Sequence, residues 1–386
     1  MADVLEHIPS FGDLRASGAQ VSAFEEARSE LAAGGDIPAG QIELGAVVRL
    51  DRGFPMIATA SGELMRAEHA VDFAKGKRPK RGGRKGSARA DRPARDGEAK
   101  GASAPMLPGV GDMVAVRVTP EHDMGVILRV LPRRTAFERW RGKNRGDRQV
   151  LAANVDVIFI VQPLGAERDT LPLMRDRVAR SLVLARDCGA EPVVVLTKVD
   201  RCDEAHVCCV VEDLGRLAGE GVRVIATSSR EGRGLDEVRA CIPRGTVGMI
   251  LGESGAGKST LLNALLGADA LETNEVRERD DAGRHTTVAR IMVALPAPCG
   301  VIADCPGLRS LPLVGHERGL ARTFPEIVEA SHACRFNDCS HVHEPGCAVL
   351  AGVEDGSIER VRLDAFLALA SEMRVSAQSL DPDVHL

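Results

Sequence analysis

Residues 252–259 read GESGAGKS and fit G-x-x-x-x-G-K-[ST] through Gly252, Gly257, Lys258 and Ser259. This pattern does phosphate chemistry. Glycine permits backbone conformations in which successive N–H groups converge on an anion, and Glu253, Ser254, Gly255 and Ala256 form the arc between the two outer glycines. Lys258 is placed to neutralise β- and γ-phosphate charge and Ser259 to ligate Mg2+. From Ser259 onward, STLLNALLG predicts a helix whose positive end faces the same anion. A second piece, DCPG, ends an apolar run: Asp304 is read as a Mg2+ ligand acting through water, and the Gly307 N–H as a γ-phosphate contact. Between them lies DDAGRHTTVAR, in which Thr286 or Thr287 can join the metal and γ-phosphate from a switch segment; spacing does not decide between the two.

The base-reading candidates lie upstream. In TKVD, Thr197 to Asp200, the Asp200 carboxylate can accept from guanine N1–H and its exocyclic amine, a donor pair that adenine lacks. Lys198 would lie along the base plane, with Val199 beside it. The usual first residue is Asn; Thr197 keeps a hydroxyl and loses the amide. ATSS, Ala226 to Ser229, can offer N–H groups and Ser228 to the base oxygen. The order is therefore base, base, phosphate, switch, switch. Ligand loops of a parallel sheet sit at the carboxyl ends of its strands. Joining the two termini and reopening the chain elsewhere keeps every loop in place, so this is the order of a circularly permuted GTPase domain.

A third cluster suits a metal. Cys334, Cys339, His341 and Cys347 follow the spacing C-x4-C-x-H-x5-C, a closed tetrahedral set of the structural zinc kind. His343 competes with His341 for the imidazole position.

Elements that could position these groups are legible around them. From Val155 to Gly307, apolar runs such as VDVIFIV, PVVVLT, VRVIATS, TVGMIL, ARIMVAL and GVIADCPG alternate with helical patterns at Leu173–Cys188, about Glu204–Ala218, from Leu235 and from Ser259. That alternation predicts a mostly parallel sheet covered on both faces. Upstream, from Glu43, short β-like runs (GAVVRL, FPMIATA, GELMRAE, DMVAVRV, GVILRVL) predict a small barrel. Ala19–Ala33 predicts a helix, and Ser357–Val375 an amphipathic one. The barrel is interrupted by Lys75–Arg95, which carries ten Lys or Arg and one acid. It reads either as a solvated linker or as a flexible arm attracted to phosphate backbones. Pro132–Gln149 is also basic and reads as a linker or as part of the same binding face.

Bulk properties agree. A chain of 386 residues that is 44% apolar suits two or three packed domains. At net charge −5 it is not a generally basic nucleic-acid binder. No 18-residue apolar run suggests a membrane span, the N-terminus lacks a secretory pattern, and a cytoplasmic monomer is expected. Ten Cys there would be thiols or metal ligands, with Cys208, Cys209 and Cys305 as packing residues.

Taken together, VLPRRTAFER, AANVDVIFIV, VVVLTKVD, GESGAGKSTLLNAL, GRHTT, DCPGLR and CRFNDCSHVHEPGCAV resemble the RsgA (YjeQ) family of ribosome small-subunit-dependent GTPases, over about Gly45 to Val349. The resemblance implies a multidomain chain with an OB-fold barrel (43–132), a circularly permuted α/β P-loop GTPase (150–312) and a helical zinc module (313–386); the extension (1–42), the basic insertion (75–105) and the basic linker (133–149) are read from the chain itself. It implies Mg2+ with GTP or GDP, one structural Zn2+, and binding to 16S rRNA in the small (30S) subunit late in its maturation. Leu308 follows Gly307 where many GTPases place a water-orienting Gln, so intrinsic hydrolysis is expected to be slow. His285 is the family-matched residue to orient water, against the plainer reading of a solvated loop histidine. The extension and the insertion depart from the family pattern. Two rivals remain: a GTPase serving RNA modification or translation, and an RNA-binding adaptor that holds GTP without hydrolysing it.

Overall fold

The computed structural model describes residues 4–35, 37–50, 54–70, 107–119, 122–140, 148–165, 171–268, 290–305, 313 and 315–380. Helix α1 (Gly18–Ala33) begins at a capping box, with Ser17 and Gln20 each bonding the other's backbone N–H. The Gln20 amide then donates to Pro132 O at 2.9 Å and Asn154 Oδ1 at 3.0 Å, which fastens the extension to the junction after the barrel.

Strands β1 (Ile42–Leu50), β2 (Met56–Thr59), β3 (Leu64–His69), β4 (Met113–Arg117) and β5 (Met124–Val130) close into a five-stranded barrel. The β1–β2, β2–β3, β4–β5 and β1–β4 pairs are antiparallel, and the parallel β3–β5 pair completes the ring. Alternation along the strands fills it with Val47, Ile57, Ala67, Val114, Val116 and Ile127, all fully buried. Nine residues make β1 long enough to continue past the barrel, where Arg49 and Leu50 pair with Ile291 and Arg290 of the nucleotide-binding sheet.

The segment read as a basic linker contains structure: β6 (Ala136–Trp140) and β7 (Arg148–Ala153) form an antiparallel hairpin. Asp112, fully buried in the barrel, takes both guanidinium arms of Arg133 at 2.7 Å and the Gly109 N–H at 2.7 Å. Burial pushes its carboxyl up, and the Arg133 pairing opposes that push.

The central sheet runs through β8 (Val157–Pro163), α2 (Leu171–Cys188), β9 (Glu191–Thr197), α3 (Glu204–Ala218), β10 (Arg223–Ala226), α4 (Leu235–Ala240), β11 (Val247–Leu251), α5 (Lys258–Leu266), β12 (Arg290–Ala294) and β13 (Val301–Asp304). Its spatial order is β10-β9-β8-β11-β13-β12, parallel except for the antiparallel β12. All seven residues of β8 are buried because both faces are covered. Ile158 and Ile160 pack into one core with α2 and α3; Phe159 and Val161 pack into the other with α4 and α5.

Helices α6 (Glu317–Thr323), α7 (Pro325–Ser331), α8 (Ala348–Asp355) and α9 (Arg360–Leu380) complete the chain. Helix α6 lies directly on α2. A side chain at Gly319 would come within 2.3 Å of Val183 O, so only glycine fits that crossing. Asp187 holds the same junction: it bonds His316 Nδ1 at 2.8 Å and accepts the Gly319 N–H at 3.1 Å. Buried Arg362 of α9 grips Glu326 with two arms, donates to Thr323 O and Leu217 O, and lies over the Phe324 ring. The C-terminal helices are thereby clamped to α2 and α3. Among the described residues, no helix is long and apolar enough to cross a membrane.

Candidate nucleotide site and metal centre

The five parallel strands end on one edge of the sheet. Pro163 aligns with Thr197, Leu196 with Ala226, and Leu251 with Ile160. The phosphate loop, TKVD and ATSS therefore emerge side by side, although about fifty residues separate the first two along the chain.

Direct bonds join them. Lys198 has a left-handed backbone (φ 62°), and its Nζ donates to Gly255 O at 2.7 Å. The Thr197 hydroxyl donates to Ala256 O at 2.7 Å. The hydroxyl that replaces the usual amide thus ties the base segment to the phosphate loop. Val199 N donates to Thr227 O, and Thr227 N to Leu196 O at 2.7 Å, which joins TKVD to ATSS. The Ser228 hydroxyl accepts the Glu231 N–H at 3.3 Å, and Ser228 N donates to Arg233 O. Both arms of Arg233 reach Glu204, at the start of α3, at 2.7 Å. Half-buried Asp200 lies in the short turn Val199–Arg201 that connects these segments.

Within the loop, Lys258 Nζ donates to Gly252 O at 2.8 Å and Glu253 O at 2.6 Å, so its ammonium lies inside the arc. Ala256 is buried; Glu253, Ser254, Gly255 and Thr260 are exposed, and Ser259 is partly exposed. Asp304, half-buried, ends β13, whose Ala303 aligns with Met249 of β11. His285, Thr286, Thr287 and Gly307 lie outside the described residues. Burial pushes the neighbouring Cys305 thiol up to about 12, and its Sγ donates to Leu151 O, in keeping with a packing role, whereas Cys208 and Cys209 are exposed on α3 and do not pack.

The ligand atoms of Cys334, Cys339, His341 and Cys347 lie within 4.8 Å of one another. Cys334 Sγ is 3.8 Å from Cys347 Sγ, and His341 Nδ1 is 3.6 Å and 3.4 Å from these two sulfurs. A tetrahedral site with the usual zinc bond lengths has S···S edges of about 3.8 Å and S···N edges of about 3.5 Å. The donor set therefore fits zinc. His341 reaches the cluster through a left-handed backbone (φ 60°), and His343 is not part of it. Burial and the neighbouring sulfurs push Cys339 up to about 11, a repulsion that a bound cation would remove. Sequence reasoning missed Glu344, which organises this loop. It accepts from Ser340 N at 2.9 Å, Val342 N and His343 N at 3.1 Å, and the Ser340 hydroxyl. Those donors hold its carboxyl well below the usual carboxylate range.

A family model described as RsgA GTPase matches residues 130–314. A small ribosomal subunit biogenesis GTPase RsgA of Streptomyces avermitilis is 44% identical over 262 residues, 68% of each chain. Its namesake in Methanosarcina acetivorans is 38% identical over 274 residues, 71% of this chain and 72% of that one. This chain belongs to the RsgA GTPase family. Two solved structures share its fold. YjeQ from Thermotoga maritima superposes with a TM-score of 0.61 at 23% identity, covering 86% of this chain and 99% of that one. YloQ, described as a circularly permuted GTPase, gives 0.57 at 20% identity, covering 86% and 96%.

One glycine of this RsgA-family loop is open to test. Gly257 has φ 89°, and an added Cβ would sit 3.3 Å from Thr197 Oγ1, the group that holds Ala256. Gly257→Ala is expected to cost about 1–2 kcal/mol in the loop conformation and to weaken fluorescent-GDP binding about tenfold. Unchanged affinity would show that the loop does not need this geometry.

Proposed function

We propose that this RsgA-family enzyme hydrolyses GTP to GDP and phosphate on the small ribosomal subunit, late in that particle's maturation, and that the subunit stimulates it. One observation carries the GTP site: the base segment is bonded onto the phosphate loop through Lys198–Gly255 and Thr197–Ala256. The relatives' names, small ribosomal subunit biogenesis GTPases, support the partner.

In this reading the N–H groups of residues 252–260 cradle the phosphates, and Lys258 spreads charge away from the transferring phosphoryl group. Asp200 reads guanine, and Ser228 with its backbone reads the base oxygen. Ser259, Asp304 and Thr286 or Thr287 would hold Mg2+, which when bound supplies charge neutralisation at the β- and γ-phosphates. His285 orients the attacking water and the Gly307 N–H meets the γ-phosphate. Cys334, Cys339, His341 and Cys347 hold a structural Zn2+. The domain bounds proposed are 1–42, 43–132, 133–149, 150–312 and 313–386, with the barrel as the rRNA-binding unit.

The test is GTP turnover with and without purified small subunits at two salt concentrations. Turnover is expected to be slow alone, to rise at least about tenfold with small subunits, and to lose stimulation at higher salt as phosphate contacts weaken. Equal turnover with and without subunits would overturn the partner, and enrichment of tRNA rather than small subunits in a pull-down would favour another RNA step.

A further inference from the structure

Glu253 places a carboxylate in a loop built to gather donors for an anion. Its backbone carbonyl already accepts from Lys258 Nζ. Its side chain meets α2, where Arg177 NH2 lies 2.8 Å from Oε2, with the arginine 22% and the glutamate 48% exposed. Helix α2 is a fixed support for that arginine. Arg175 pairs with Asp213 of α3, Arg180 with Glu372 of α9, and Asp187 with His316 before α6. The guanidinium is therefore offered from a helix pinned on three sides.

We infer that Arg177 is a positioning residue for nucleotide binding, acting through Glu253: it neutralises the acid that the phosphate loop carries and ties that side chain to α2. This rests on the GTPase reading of the site. The charge is needed because GTP brings several negative charges to within a few ångströms of the loop. One uncompensated carboxylate at roughly 8 Å in a partly solvated site is worth about a fivefold change in affinity. Arg177 does not touch the reacting atoms in this account, so its effect belongs in binding and not in the chemical step.

The experiment measures GTP and GDP affinity, KM and kcat for the full chain. Arg177→Ala is expected to weaken GTP binding about fivefold, GDP binding less, and kcat at saturating GTP less than twofold. The loss should shrink by half or more at ~0.5 M salt, where screening is strong. Arg177→Lys should retain most of the affinity, and Glu253→Gln in the Arg177→Ala background should restore GTP binding to within about twofold. An arginine that merely packs against the loop predicts no salt dependence and no rescue by removing the acid. Unchanged affinity, loss without rescue, or a fall in kcat at constant KM would each overturn the inference. A wild-type chain that binds no guanine nucleotide would overturn the GTPase reading itself, an outcome read before any variant is made.

Discussion

Asp200→Asn should exchange GTP for XTP as the preferred substrate. A carboxylate at this position accepts two hydrogen bonds, from guanine N1–H and the exocyclic amine. An amide there offers one acceptor and one donor, which suits xanthine, whose C2 carries a carbonyl in place of the amine. Guanine would then face a donor with a donor. Leaving such groups unpaired in a desolvated site costs the full pairing on both sides, and sites built on specific hydrogen bonds discriminate by 10⁴ or more. We expect kcat/KM for GTP to fall about a thousandfold and that for XTP to rise about a hundredfold. The backbone around residue 200 is held independently, by Val199 N on Thr227 O and by Lys198 Nζ on Gly255 O, so the substitution changes base contacts and little else. Retained GTP selectivity in this variant would remove Asp200 from the base site.

That prediction can be posed because the permuted order was legible from the chain. Continuous apolar runs such as VDVIFIV become strands buried on both faces, and α3 covers the Glu204–Ala218 span that its helical pattern predicts. The zinc spacing put four ligands in one loop, which the backbone closes into one cluster. Other features depended on tertiary partners. The hairpin β6–β7 hides in a basic stretch because its pairing, Phe137 with Ala152 for example, satisfies the backbone where composition suggests a linker. Helices α6 and α7 are seven residues each, too short for periodicity to reveal, and α6 is held at Gly319 by Asp187 from 132 residues away. The linkage between Thr197 and Ala256 replaces an expected amide role with a hydroxyl tether; residue type alone did not announce it.

Cys347→Ser should separate the two ends of the molecule. Cys347 serves two structures at once. Its Sγ belongs to the Cys/His cluster whose geometry fits zinc, and it also accepts the Leu350 N–H at 3.4 Å as the N-cap of α8. Serine can still cap the helix but is a poor zinc ligand, so the variant tests the metal and spares the cap. Zinc in small closed sites is worth about 10–16 kcal/mol of apparent folding energy. Here the loss should be smaller, because Glu344 knits the loop through backbone bonds and Arg362 anchors α9 on α3 without the metal. We expect bound zinc to fall from about one per chain to near zero and protease cleavage to appear between residues 334 and 347. Intrinsic GTP turnover should stay within about twofold, since the clamps at Asp187 and Arg362 lie on other residues and hold α2 and α3 in place. Stimulation by small subunits should drop about tenfold if the zinc loop is part of the docking surface. Full zinc content in the variant would refute the ligand assignment. Intrinsic turnover falling in parallel with stimulation would mean that the metal supports the nucleotide site through α2, and that the loop's contribution is to the fold of the enzyme and not to its partner.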